Sequence, residues 1–115
     1  MTTTLYLLLL TYTRPLEEVN AHLEEHRAYL RRAYAAGHFL VSGPRVPPGG
    51  GVILARAASA EDALALTRDD PFNQLGLATY EIVAFNALWS APEFAPLLAE
   101  PSPATTPATR ADGED

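Results

Sequence analysis

A chain of 115 residues, 48% of them hydrophobic, is sized for one small domain with a core of its own. It has no Cys, and all eight of its basic residues are Arg. Disulfides, thiolate metal sites and thiol nucleophiles are therefore excluded, as are Schiff-base chemistry and a Walker-type lysine. The net charge of −6, with no basic stripe interleaved with aromatics, argues against a nucleic-acid partner.

Thr3–Tyr12 predicts the first strand. Its apolar residues run without alternation, which points to burial on both faces and a central place in a sheet. The run Leu5–Leu10 is far short of the roughly 20 apolar residues that cross a bilayer. It also lacks a basic leader, so no membrane partner and a soluble, cytoplasmic protein are expected. Pro15 then opens a helix over Leu16–Ala36, closed by Gly37 in the left-handed position that suits glycine.

His38–Gly43 and Val52–Ala57 predict the second and third strands, joined as a hairpin by a Pro- and Gly-rich loop, Pro44–Gly51. Ser59 is an N-cap, with Asp62 three residues on, for a second helix over Ala60–Arg68. Asp69-Asp70-Pro71-Phe72 breaks that helix, a short turn follows to Leu75, and Leu77–Phe85 predicts the fourth strand. Beyond Asn86, Leu88-Trp89 and Phe94–Leu98 suit a short docking helix. Residues 1–99 are expected to fold as one domain, and the Pro-, Ala- and Thr-rich acidic stretch 100–115 to be a disordered tail.

The order βαββαβ is the ferredoxin-like α+β arrangement, a four-stranded antiparallel sheet with both helices on one face. The first and third strands, the most apolar, would form its inner pair. The opposite face needs a cover, and a second copy of the chain supplies one, so a homodimer with sheets packed face to face is expected.

The long helix carries the first candidate for chemistry. Val19, Leu23, Leu30, Ala33 and Tyr34 form one apolar stripe, and His26 falls inside it. An imidazole on a buried face is either a core histidine satisfied by a hydrogen bond or a general acid–base group. Asp70 is the second candidate. Asp before Pro at a turn is an N-cap pattern; the alternative role is a carboxylate that orients His26, since the second helix packs beside the first in this fold and its end can approach that residue. His22-Leu23-Glu24-Glu25-His26 has the H-x-x-E-H form of inverted zincins. His22 and His26 lie about 40° apart around the helix, but Glu25 lies on the outer arc and no third ligand is evident, so no metal or other cofactor is expected. Ser42-Gly43-Pro44-Arg45 with Gly49–Gly51 lacks the GK[ST] of a phosphate cradle. Ser42 also lacks the elbow of a nucleophilic serine, although a loop of this length can serve as a lid.

His26-Arg27-Ala28-Tyr29-Leu30, Gly37-His38-Phe39-Leu40, Ser42-Gly43-Pro44, Asp70-Pro71-Phe72 and Gly76-Leu77, in that order, resemble the YciI-like (YCII-related) domain family across about Leu5 to Phe85. The resemblance implies a ferredoxin-like fold assembled as a dimeric α/β barrel, similar to muconolactone isomerases. It also implies an active site on a His and an Asp, here His26 and Asp70. One member of that family is a dehydrochlorinase of a chlorinated hydroxyhydroquinone. Some relatives carry an acid just before the glycine that ends the first helix. Ala36 stands there in this chain, so any role of that acid is missing.

The expected function is proton transfer of the lyase or isomerase type on a small cyclic or aromatic oxygenated substrate. His26 would move the proton and Asp70 would fix its tautomer. Ser42, Arg45, Tyr6 and Tyr80 are the candidate substrate-binding residues, with Arg45 suited to an anionic group and the two tyrosines to pocket walls. The competing expectation is a non-catalytic dimeric module for a small ligand or a protein, in which His26 is structural and Asp70 only a cap.

Overall fold

In the computed structural model, which describes residues 3–98, β1 (Thr3–Tyr12) lies inside a four-stranded sheet. The remaining strands are β2 (Phe39–Pro44), β3 (Gly50–Arg56) and β4 (Ala78–Ala87), in the spatial order β2-β3-β1-β4 with every pair antiparallel. The first and third strands are the inner pair, as their composition predicts. The expected tail, 100–115, lies outside the described residues.

Register decides what faces the helices. Tyr6 sits opposite Ala55 and Ala84, Leu8 opposite Ile53 and Ile82, and Leu10 opposite Gly51 and Tyr80. Because strand side chains alternate, these residues share one face. Tyr6, Leu8, Ile53 and Ala55 pack there with Tyr29, Leu30, Ala33 and Phe39. A second cluster joins Leu10, Val19, Phe72, Leu77 and Ala78. The opposite face carries Leu5, Leu7, Leu9, Val52, Leu54, Val83 and Phe85. Leu5 is 3% exposed, but Leu7, Leu9, Val52 and Leu54 are only half-buried and Phe85 is 41% exposed. The expectation that β1 is buried on both faces thus holds fully on the helix side only.

The single helix expected over Leu16–Ala36 is two helices, α1 (Leu16–Asn20) and α2 (Leu23–Ala35). At the break, the His22 amide donates to the Val19 carbonyl, a tighter closure than the four-residue step, and His22 leaves helical geometry. The bend lets Val19 enter the second cluster while Tyr29, Leu30 and Ala33 enter the first. Gly37 (φ +83) closes α2 as predicted, with the His38 amide donating back to Ala33.

Of the hairpin strands, β2 is displaced by one residue from the expected His38–Gly43 and β3 is one residue longer than the expected Val52–Ala57. β3 starts at Gly50, not Val52, because Gly50 and Gly51 pair with Thr11 and Leu10. A Cβ at Gly50 would lie 1.8 Å from the Leu10 carbonyl oxygen, so only glycine lets the two backbones approach this closely. α3 (Ala60–Arg68) occupies its predicted span, with Ser59 accepting from the Asp62 amide. A single turn, α4 (Pro71–Gln74), follows. After β4 a 3-10 turn (Pro92–Phe94) leads into α5 (Ala95–Leu98). The α5 carbonyls of Leu97 and Leu98 accept from Arg56 and Thr3, and this holds the segment at the Leu5 end of the open face.

Gly50→Ala should lower stability by about 3 kcal/mol, since backbone must move to admit the methyl group. Gly43→Ala has open space around its new Cβ and should change stability by no more than about 0.5 kcal/mol. Urea denaturation of the two variants checks this difference.

Candidate active site

Asp70 ends one helix and begins another. Its backbone is extended, Pro71 takes the first position of α4 with no N–H to lose, and the Asp70 side chain accepts from the Phe72 amide at 3.0 Å. The Asn73 side chain donates to the Thr67 carbonyl, and the Asp70 amide donates to the same oxygen, so α4 is tied to the end of α3. Asp70 is 0% exposed in this position.

His26 comes to the same point from α2. Its Nδ1 lies 2.9 Å from Asp70 Oδ1, and the His26 side chain keeps 12% of its exposure. A carboxylate oxygen only accepts, so Nδ1 carries the proton in this contact, and in the neutral imidazole the lone pair then falls on Nε2. The imidazole stacks flat on Phe72, with centroids 4.1 Å apart and planes 3° apart, and Tyr29 lies 6.0 Å away. Tyr12 meets the Phe72 ring edge-on. One face of the imidazole is thus fixed by a ring and one edge by a carboxylate.

Tyr80 supplies the third donor to Asp70, with its hydroxyl 2.6 Å from Oδ2. Burial first, and then the charge of Asp70, push the Tyr80 and Tyr29 phenols well above the ordinary tyrosine range. The same two causes raise Tyr12. Tyr29 donates to the Leu66 carbonyl at 2.6 Å. Among the described residues no buried side-chain nitrogen or oxygen lacks a partner.

The candidate residues do not all meet here. Tyr80 faces Asp70 directly, as a donor and not merely as a wall. Tyr6 lies in the first core cluster, four residues along β1 from Leu10, the residue that opposes Tyr80. Ser42 is on β2, at the opposite sheet edge, where it shares a hydrogen bond with Tyr34 at 2.7 Å. Arg45 donates to Thr11 Oγ1, while the neighbouring Gly49 carbonyl accepts from the Tyr12 amide. The hairpin loop is therefore fastened to the end of β1, and Tyr12 and Phe72 lie between it and His26. His22 binds Glu25, not His26, and among the described residues no group of three His, Asp or Glu is placed to hold a metal ion.

Tyr29, Phe72 and Tyr12 are parts of the site that the residue pattern did not single out. Tyr29 was legible as the residue one turn beyond His26 on the same helix face. Phe72 follows the Asp-Pro pair, but its stacking on His26 depends on the angle between α2 and α4.

Sheet, helices and site define an α+β protein with a histidine–carboxylate contact buried where α2, α4 and β4 meet. The chain belongs to the YCII-related domain family, whose model matches residues 4–86. Among solved structures it is similar to 5-chloro-2-hydroxyhydroquinone dehydrochlorinase (TftG) from Burkholderia phenoliruptrix AC1100, in a complex with 2,5-dihydroxybenzoquinone. The two share 21% identity with a TM-score of 0.58, over 77% of this chain and 96% of that one. No curated protein matches. Among the described residues no helix is long and apolar enough to cross a membrane.

The two raised phenols link stability to alkaline pH. An unfolded chain releases tyrosine protons near pH 10, while the folded one holds them at Tyr29 and Tyr80. Their contribution is therefore fully present below about pH 10 and is lost as pH rises further. Ultraviolet titration should find two phenols that ionise only as the protein unfolds, and Tyr80→Phe should remove one of them.

Proposed function

We propose that the protein catalyses proton transfer on a small cyclic or aromatic oxygenated compound of the hydroquinone type, with His26 as the group that moves the proton. The contact of His26 Nδ1 with the fully buried Asp70 carries this reading. A neutral imidazole held by Nδ1 offers Nε2 as a base and, once protonated, returns the proton as an acid. Asp70 fixes the tautomer and favours the imidazolium that forms transiently. In a dehydrochlorination, Nε2 takes a proton from one substrate hydroxyl and returns it to the chlorine-bearing ring carbon, giving a keto tautomer. It then takes the proton of a second hydroxyl as the ring electrons shift and chloride leaves with the C–Cl pair, for a net loss of HCl. In an isomerisation the same proton goes back at another atom. Neither course requires an external oxidant or reductant.

Membership of the YCII-related family and the likeness to a dehydrochlorinase support the substrate class. The test is a panel of chlorinated and unchlorinated hydroxyhydroquinones and dihydroxybenzoquinones. Chloride release and uptake of solvent deuterium would be followed. His26→Gln and Asp70→Asn should each lower turnover by about 10²- to 10⁴-fold, the share general acid–base catalysis commonly supplies. Turnover that survives His26→Gln would refute the role of the imidazole. Tight binding with no turnover by the unsubstituted chain would favour the ligand-binding module instead.

We also propose that the protein acts as a homodimer through the open sheet face. Leu7, Leu9, Val52, Leu54, Val83 and Phe85 make that face apolar across β3, β1 and β4, and contiguous apolar patches on this scale mark interfaces. Sedimentation velocity should give the mass of two chains, and Phe85→Asp the mass of one. A single-chain mass for the unsubstituted protein at high concentration would refute the dimer.

A further inference from the structure

The two oxygens of Asp70 are served by different parts of the fold. Oδ1 accepts from His26 and from the Phe72 amide. Oδ2 accepts from Tyr80, which reaches it from β4. The Tyr80 phenol is close enough to that of Tyr29 for the two to interact, and Tyr29 is itself tied to the Leu66 carbonyl of α3. Hydrogen bonds therefore run from Tyr80 on β4 through Asp70 to the imidazole, with the phenol of Tyr29, anchored on α3, acting on that of Tyr80.

We propose that Tyr80, seated by Tyr29, is a positioning residue that selects which nitrogen of His26 is basic. The proposal rests on the reading of His26 as the proton carrier and deepens it. A carboxyl group at zero exposure cannot turn to water for a missing donor, so each oxygen must be satisfied by protein. With Tyr80 on Oδ2, the carboxylate acts only as an acceptor, Nδ1 keeps its proton, and Nε2 is left with the lone pair. Without the hydroxyl, Oδ2 is buried and unsatisfied, and the carboxylate has to shift toward another donor, which loosens its hold on Nδ1–H. An imidazole no longer held at Nδ1 can carry its proton on Nε2 instead, and the lone pair is lost from that nitrogen. One hydroxyl on β4 thus decides the chemistry presented by a side chain on α2.

The surroundings leave this task to Tyr80. The other titratable groups around the pair are Tyr12 on β1, whose phenol feels the Asp70 charge, and Tyr29 on α2. Asp69 and Arg32 act on Tyr29 from a distance. His22 on the preceding turn is engaged with Glu25. The hydrogen bonds to the Asp70 carboxylate among the described residues come from His26, the Phe72 amide and Tyr80, and Tyr80 alone serves Oδ2.

The test is the ring-nitrogen NMR spectrum of the full chain, read above the pH at which its histidines carry charge. In the unsubstituted protein His26 should have a protonated Nδ1 and a lone pair on Nε2. Tyr80→Phe should shift the tautomer ratio toward a protonated Nε2 by about tenfold or more, the weight of one charge-assisted hydrogen bond. Tyr29→Phe should shift it the same way by less. Unchanged His22 and His38 signals would report an intact fold, since a general loss of structure moves all three. An intact Tyr80→Phe with an unmoved His26 tautomer would overturn the positioning role and leave the proposed proton transfer standing. An unsubstituted His26 already protonated on Nε2 would overturn both. If Tyr80→Phe does not fold, fluorotyrosine at position 80 keeps the packing and sharpens the donor. The His26 Nδ1 resonance then moves under the proposal, and an unmoved resonance overturns it.

Discussion

A carboxyl group sealed from water is the constraint around which this fold closes. Desolvating such a group without partners costs several kcal/mol, by order of magnitude, and Asp70 avoids that cost with three donors. The donors come from α2, from the first turn of α4 and from β4. No pair of these elements completes the set, so they must arrive together. The same requirement that orders the fold brings His26, Phe72 and Tyr80 to one place. Folding and the proposed chemistry would share a single polar network, and such networks specify a unique arrangement when every member is satisfied.

The cap and the dyad are not rival roles. A carboxylate has two oxygens with lone pairs to spare, and Asp70 uses Oδ1 for both the Phe72 amide and the imidazole. Pro71 makes this economical, because it starts α4 without an amide that would compete for the same oxygen. Phe72, the next residue, then lies flat against the imidazole. Three consecutive residues therefore hold one edge and one face of His26, and the Asp-Pro-Phe order is what a turn needs to do both.

The two faces of the sheet are finished differently. On the helix side, two apolar clusters leave little exposed. On the other side, cover is graded. Leu5 lies under the end where α5 is pinned by Arg56 and Thr3, while Leu7 and Leu9, farther along β1, are only half-buried. Trp89, just after β4, is 93% exposed. The half-covered side is the one through which the proposed dimer would form.

Local chemistry in the chain was enough to reveal the elements and two of the site residues. The unbroken apolar run of β1, the Ser59 and Asp70 caps and the closing Gly37 are signals written within a few residues of where they act. They led to a four-stranded antiparallel sheet with β1 and β3 inside, to His26 on a buried helix face, and to Asp70 at a helix start. Tertiary packing decided everything that depends on angle and distance. It broke the long helix at His22 so that Val19 and Tyr29 could enter different clusters, drew Gly50 into β3, and put Ser42 on the strand edge opposite β4. It also turned Tyr80 from a wall into a donor and laid Phe72 under His26. The reason is physical. A hydrogen bond is made or lost within a few tenths of an ångström, and residues 10 and 44 positions apart on separate elements are brought within that range only by packing.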